Sequence, residues 1–351
     1  MINLCKTPPT LSGKQFTFGH CRNLSDTLAA ACVQAEAILT VAEYLAAGCQ
    51  SAGAFVACNS AAQIVSRHHH RHWANRMVQE SDTIRLINSF GDKDLLTPYG
   101  LESSSDGFLW ATSLGGERIS KFSSYGDLVQ HLQLPGSRPW GLFQAGRESL
   151  WVCDLANPYL LRVRKDGIIE HRLHIRNNGQ DLRPILGTAD GNVLYLILAN
   201  STGRNRQLAR IHADDESSLE ILPCPTPRPS GIRVHAGRLY LSSQNPPALL
   251  SQSLDENKIE NWTNFNNGMI PDFQNHFVFT DNHVWLTAMG RLTRLNVSGE
   301  VELVIDAASL VGYPDSNFRS LTILDTPGSS DGSILFVSDK IHNLIHSFKI
   351  Y

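Results

Sequence analysis

The chain lacks any apolar run long enough to cross a bilayer, which takes about 20 predominantly apolar residues. Residues 1–23 carry Lys6, Lys14 and Arg22 but no apolar core of a signal peptide, so a cytoplasmic protein is expected, with no membrane partner. Charge is sparse: 18% of residues are Asp, Glu, Lys or Arg, with a net charge of -3 and no block of either sign after residue 80. That excludes a broad basic surface for nucleic acid and an acidic tail. A Walker loop, a dinucleotide-binding glycine pattern and a His-Glu-x-x-His helix are all missing, which removes three large enzyme classes. Seven cysteines are present without a single Cys-x-x-Cys pair. They are read as small apolar fillers of a reducing compartment, with a cluster or redox role as the alternative.

What is present is a repeat. An aromatic returns at Trp110, Trp151, Tyr195, Tyr240, Trp285 and Phe336, with spacings of 41, 44, 45, 45 and 51 residues. Periods of this size belong to arrays of one supersecondary unit, and four-stranded propeller blades are the usual all-β form. Each unit opens on a short apolar run, such as Trp140-Gly141-Leu142, and turns at an Asp-Gly or similar pair, as at Asp106-Gly107. The aromatic strand follows, then an apolar-x-polar-apolar strand such as Leu160-Leu161-Arg162-Val163. Fourth strands are found for five units only. Ile84 to Phe90 supplies the sixth, because a ring of sheets must close or leave an unpaired edge. The fold expected is all-β: a six-bladed β-propeller over residues 81–351, closed by residues 84–90, behind an N-terminal α-helical hairpin extension over residues 1–80.

The extension rests on a second period. Leu24, Leu28, Ala31, Ala35, Ile38, Ala42 and Leu45 step alternately by four and three, a helical stripe. A second helix is read from about Ser51 to Gln79. Within it His68 and His72 are four apart and share a helical face, a spacing that can chelate a divalent metal given a third ligand. The plainer reading is a solvated helix end whose His and Arg suit the C-terminal dipole. The hairpin is too small to stand alone, so a docking role toward a protein partner or the propeller is expected.

A propeller brings the start of each innermost strand and the end of each aromatic strand to one mouth. Counting along the repeats places Tyr99, Trp140, Pro184, Ser230, Gln274 and Arg319 there from the first set, and Ser113, Asp154, Asn200, Gln244 and Asp339 from the second. A few polar groups converging on an apolar wall suit a small molecule or peptide. Asp154 or Asp339 is the candidate general base, provided burial raises its pKa. Arg319 is the candidate for holding a carboxylate or oxyanion, and Tyr99 and Trp140 for stacking on a ring. The alternative for both Asp residues is a cap on the next turn.

The units Pro98-Tyr99-Gly100-Leu101 with Leu109-Trp110-Ala111-Thr112, and Pro139-Trp140-Gly141-Leu142 with Leu150-Trp151-Val152-Cys153-Asp154, resemble repeats of the virginiamycin B lyase family. Phe336-Val337-Ser338-Asp339-Lys340 with Asn343-Leu344-Ile345 resembles an NHL repeat of the wider propeller group. The resemblance implies a propeller and, at its mouth, a metal-assisted elimination that opens a cyclic ester. Asp154 stands where the family has Glu at the end of an aromatic strand, and His276 falls inside an inner strand rather than before one. Three functions follow as expectations: ligand binding at the mouth with lyase-like chemistry, a non-catalytic protein-interaction scaffold, and a metal-dependent lactonase using Asp154, Asn200 and Asp339.

Overall fold

The computed structural model describes residues 83–351, apart from 147–148, 202, 204, 225, 245–246, 255–258, 265–272, 289 and 325–332. The helical hairpin and the pair His68 and His72 lie outside the described residues. Six four-stranded antiparallel sheets form a ring. Their innermost strands are Pro98–Ser103, Pro139–Ala145, Arg183–Asp190, Pro229–His235, Phe273–Phe279 and Phe318–Leu324, and they open blades one to six. Each packs against the next and the sixth against the first, so the ring is closed. Blade six takes its outermost strand from the other end of the sequence: Ile84–Phe90 runs antiparallel to Leu344–Ile350. This joint removes the free edge that an open array would leave at each end. Two further elements decorate the ring, a ribbon of Arg176–Asn177 with Gln180–Asp181 and a short helix, Ala307–Val311. No helix among the described residues is long and apolar enough to cross a membrane.

The repeating aromatic is the core between blades. Trp110, Trp151, Trp285 and Phe336 are all at most 1% exposed, and Tyr195 and Tyr240 are also buried. Truncating a core Trp to Ala in such packing removes about 3–5 kcal/mol. The polar position of the third strand has a repeated job as well. Lys121, Arg162, Arg210 and Arg294 each pair in register with the aromatic of the second strand. In three of these blades the cation lies 5.4–5.9 Å from the Trp ring centre, within reach of a cation–π attraction of about 0.5–1 kcal/mol. These outer cations also meet acids: Lys121 with Asp106, Arg162 with Glu170, Arg210 with Glu220 and Arg294 with Glu302.

Glycine in the opening run is set by the neighbouring blade. A Cβ on Gly141 would stand 2.4 Å from the Ile185 carbonyl oxygen, and one on Gly100 would stand 2.6 Å from that of Trp140. Both obstacles are backbone, which cannot swing aside. Gly141→Ala is therefore expected to destabilise the propeller by about 1–3 kcal/mol through overpacking, read as a lower urea midpoint with an unchanged slope. A variant as stable as the parent would show that the blades slide past one another freely.

Candidate functional site

All six innermost strands carry a register shift near their first residues, between Pro98 and Leu101, Pro139 and Leu142, Pro184 and Leu186, Pro229 and Gly231, Phe273 and Phe277, and Phe318 and Leu321. A bulge bends a strand and re-aims the side chains beside it. Repeated at one end of the ring, it forms the mouth.

Hydroxyls fix the bulges in blades one, five and six. Thr112 Oγ1 accepts from Gly100 N (2.7 Å) and donates to the carbonyl of Trp140 in the next blade (2.9 Å). Ser338 Oγ likewise accepts from Ser320 N (3.0 Å) and donates to the carbonyl of Tyr99 (2.8 Å). Thr287 Oγ1 donates to the carbonyl of Arg319 (3.1 Å). The residues pinned in this way are three of the expected mouth residues. Two blades lack the device, because Cys153 and Ile197 stand at the equivalent positions. Cys153 is a free, fully buried thiol whose pKa is pushed up by burial and by neighbouring Asp154.

Tyr99, Trp140 and Arg319 come together. The rings of Tyr99 and Trp140 lie 3.9 Å apart between centres, and the Arg319 guanidinium carbon is 5.9 Å from the centre of the Tyr99 ring. Tyr99 is buried beneath a half-exposed Trp140. Burial raises the Tyr99 pKa although Arg319 and Arg206 pull it down, so its phenol stays protonated at neutral pH. A fourth side chain joins them: the His276 ring sits 6.2 Å from that of Tyr99, edge to face. Its Nδ1 is 3.0 Å from Ser320 Oγ. Its Nε2 is out of contact with solvent and has no hydrogen-bond partner among the described residues, and neither does Arg319 Nε. Burial, with Arg233 and Arg319 close by, pushes the His276 pKa down to about 3, so the imidazole is neutral at physiological pH.

Below the mouth an ion pair crosses the axis. Arg233 Nη1 reaches Glu102 Oε2 at 3.0 Å, from blade four to the facing blade one. Both side chains are mostly buried. Burial raises the Glu102 pKa more than Arg233 and the Gln144 N–H lower it, the behaviour of a charge whose lost hydration outweighs its partner.

The other expected residues serve the scaffold around this group. Asp154 accepts from Arg138 N and Ala156 N at 2.9 Å each and from Asn157 Nδ2 at 2.8 Å, holding its own turn. Asp339 does the same in blade six, accepting from Asn317 N and Ile341 N at 3.1 Å each. It also meets His342 Nδ1 at 2.8 Å. Burial alone would raise the Asp339 pKa, but the bonds from His346, His342 and backbone N–H hold it well below the usual carboxylate range. That is opposite to the shift a general base at this position needs. Ser230 Oγ is 3.0 Å from Ser242 Oγ within blade four, and Ser113 Oγ bonds both the N–H and the carbonyl of Leu96. Asn200 begins the turn that Gly203 N closes onto its carbonyl. Gln244 ends the second strand of blade four, and Gln274 lies in the inner strand of blade five.

Counting along the repeat did not find His276, Arg206 or the Glu102–Arg233 pair. The signal for the pair was present. Glu102 and Arg233 hold equivalent places, each facing the aromatic of its own blade, Trp110 and Tyr240. In a ring of six, blades one and four stand opposite each other.

The mouth does not fit a resident divalent cation. Its axial carboxylate, Glu102, is already paired with Arg233, its histidine is flanked by two guanidinium groups, and Asp154 and Asp339 are bound to their turns. Among the described residues no group of three or more His, Cys, Asp and Glu side chains is placed to hold a metal. A void between blades three and four, bounded by Tyr195, Arg210, Leu239 and Gln252, has a volume of about 10 Å³, room for a single water.

No family model matches the sequence. No curated protein matches it either. Solved structures do. A gluconolactonase from Xanthomonas campestris superposes with a TM-score of 0.60 at 14% identity, covering 77% of this chain and 95% of that one. A calcium-binding regucalcin from Agrobacterium tumefaciens gives 0.58 at 13% identity, over 76% and 94%. Virginiamycin B lyase from Staphylococcus aureus gives 0.52 at 15% identity, over 76% and 100%. At these identities the likeness shows the fold, and the resemblance seen in the repeats holds at that level.

Proposed function

We propose that the axial mouth binds a small organic molecule, a reading argued from the site because lyase, lactonase and regucalcin-type proteins share the propeller itself. Trp140, backed by Tyr99, is the shelf on which it lies, and Arg319 and His276 are the polar groups that orient it. The observation that carries this reading is the pair of buried nitrogens without partners, His276 Nε2 and Arg319 Nε, beside an aromatic wall. An unsatisfied buried donor or acceptor costs about 1–3 kcal/mol, and two in one cluster are groups waiting for a ligand. Lyase-type proton abstraction would fall to His276, the one neutral base in the cluster. With a pKa of about 3 it is weak in the empty mouth; a ligand that cancels the Arg319 charge strengthens it. Asp154 and Asp339 have no chemical part in this reading.

The test is a thermal-shift screen of small acids, esters and lactones on the full chain. A compound that raises the parent's melting temperature is expected to do nothing for Trp140→Ala. Asp154→Ala is expected to lose about 1–2 kcal/mol of stability with its turn bonds yet to keep the ligand's shift. A full shift in Trp140→Ala would sink the mouth as the site.

A further inference from the structure

Some of the ring's positive charges are paired and others are not. Arg162, Arg164, Arg176, Arg210, Arg238 and Arg294, out on the blades, each meet a carboxylate within 3.9 Å. Arg206, Arg319 and Lys340 meet none among the described residues. Carboxylates are not scarce, since the chain has 33 Asp and Glu against 30 Lys and Arg. Arg206 spends Nη1 on the carbonyl of Pro229, at the start of blade four's inner strand (2.7 Å). It lies close enough to Tyr99 for its charge to pull the phenol's pKa down against burial. Lys340 in turn feels Arg319. Arg233 adds nothing, being matched one to one by Glu102. Arg319 and Arg206 therefore stand by Tyr99, and Lys340 by Arg319, with no carboxylate paired to any of the three among the described residues. Burial leads in lowering the pKa of both Arg206 and Lys340, helped by Arg228 at the first and by Arg319 at the second.

Resting on the mouth as the ligand site, we propose that its ligand is an organic anion: a flat, conjugated body on Trp140 with a carboxylate or phosphate held by Arg319, Arg206 and Lys340. A guanidinium offers parallel N–H donors that match an oxyanion and bind it in bidentate fashion. Arg319 has its Nε buried and without a partner among the described residues, so one donor of its fork is already desolvated. The repulsion between Arg319 and Lys340 is relieved by a negative charge, so a neutral analogue of the same shape gains the stacking and not the charge pairing. A local excess of one sign in a concave site also draws opposite charge toward it in solution.

The probes are 2-naphthoate, its neutral isostere 2-naphthamide, and inorganic phosphate, titrated calorimetrically against the full chain at low salt. Naphthoate is expected to bind at least tenfold more tightly than naphthamide. Lys340→Gln, a change on a turn that leaves the core alone, and Arg319→Met are each expected to weaken naphthoate about tenfold and naphthamide clearly less, so that the selectivity falls, while Arg319→Lys keeps part of the selectivity. Melting curves show whether each variant is folded. Displacement of naphthoate by phosphate supports an oxyanion site open to both groups, and no displacement supports a carboxylate site. Equal binding of naphthoate and naphthamide, both lost in Trp140→Ala, would overturn the anion inference and leave the mouth standing. Selective binding untouched by Trp140→Ala would overturn both. Failure of naphthoate to bind the parent would overturn the anion inference alone.

Discussion

Replacing Glu102 with Ala is expected to be among the most damaging single changes in the propeller, with a loss of about 3–5 kcal/mol. The substitution strands Arg233 at the centre of the ring, where its side chain is only 19% exposed and the one carboxylate within reach is gone. Arginine cannot shed its proton to escape. The reverse change is gentler. In Arg233→Met the orphan is Glu102, whose pKa is already raised by burial, and it can take up a proton and become neutral. The cost of Arg233→Met is therefore expected to shrink as pH falls, whereas that of Glu102→Ala does not. Removing both partners in Glu102→Leu/Arg233→Met is expected to recover most of the loss, because the pair's hydration penalty goes with it. Urea denaturation of the four proteins at pH 7.5 and 5.5 checks this. Equal costs for the two single variants at both pH values would mean that the pair is wetter than its burial indicates.

Acid should weaken the fold through His276. In the unfolded chain this imidazole titrates near 6.5; in the propeller it holds out to about 3. Between those values the unfolded state binds a proton that the native state refuses, so stability is present above pH 6.5 and is lost as pH falls. By pH 4.5 the loss is about 3 kcal/mol, two pH units at ~1.4 kcal/mol each. His276→Asn is expected to flatten this part of the pH profile relative to the parent. Arg233→Met is expected to flatten it partly, since Arg233 follows burial among the causes of the shift. The measurement is the difference in urea midpoint between pH 7 and pH 4.5 for parent and variants. The same difference in parent and His276→Asn would show that His276 already takes its proton in the native state.

The period of the aromatics was enough to read the blades, because every blade solves one packing problem in one way. Trp110, Trp151, Trp285 and Phe336 fill the space between sheets, and that space recurs each time the chain completes four strands. The mouth was legible in part for the same reason. Tyr99, Trp140 and Arg319 follow from counting back along the repeat, since one end of every inner strand reaches one face. Asp154 and Asp339 reach that face too, but the repeat does not say which way a carboxylate turns. The backbone N–H groups of Arg138, Ala156, Asn317 and Ile341 settle that locally.

His276 was hidden by the bulge. It stands where blades one, two and four have Gly100, Gly141 and Gly231, at a position the register shift removes from ordinary alternation. Arg206 was hidden for another reason, as it enters from the third strand of blade three and crosses to Pro229 in the next blade. The sequence by itself determined the unit, the number of units and the closing strand, because these rest on hydrophobic period and on the need to leave no open edge. Only the tertiary structure decided which charges meet. Glu102 and Arg233 are 131 residues apart and find each other because a ring of six sets them face to face. Arg206, Arg319 and Lys340, without a paired carboxylate among the described residues, are brought toward one end of the axis by two different blades, three and six.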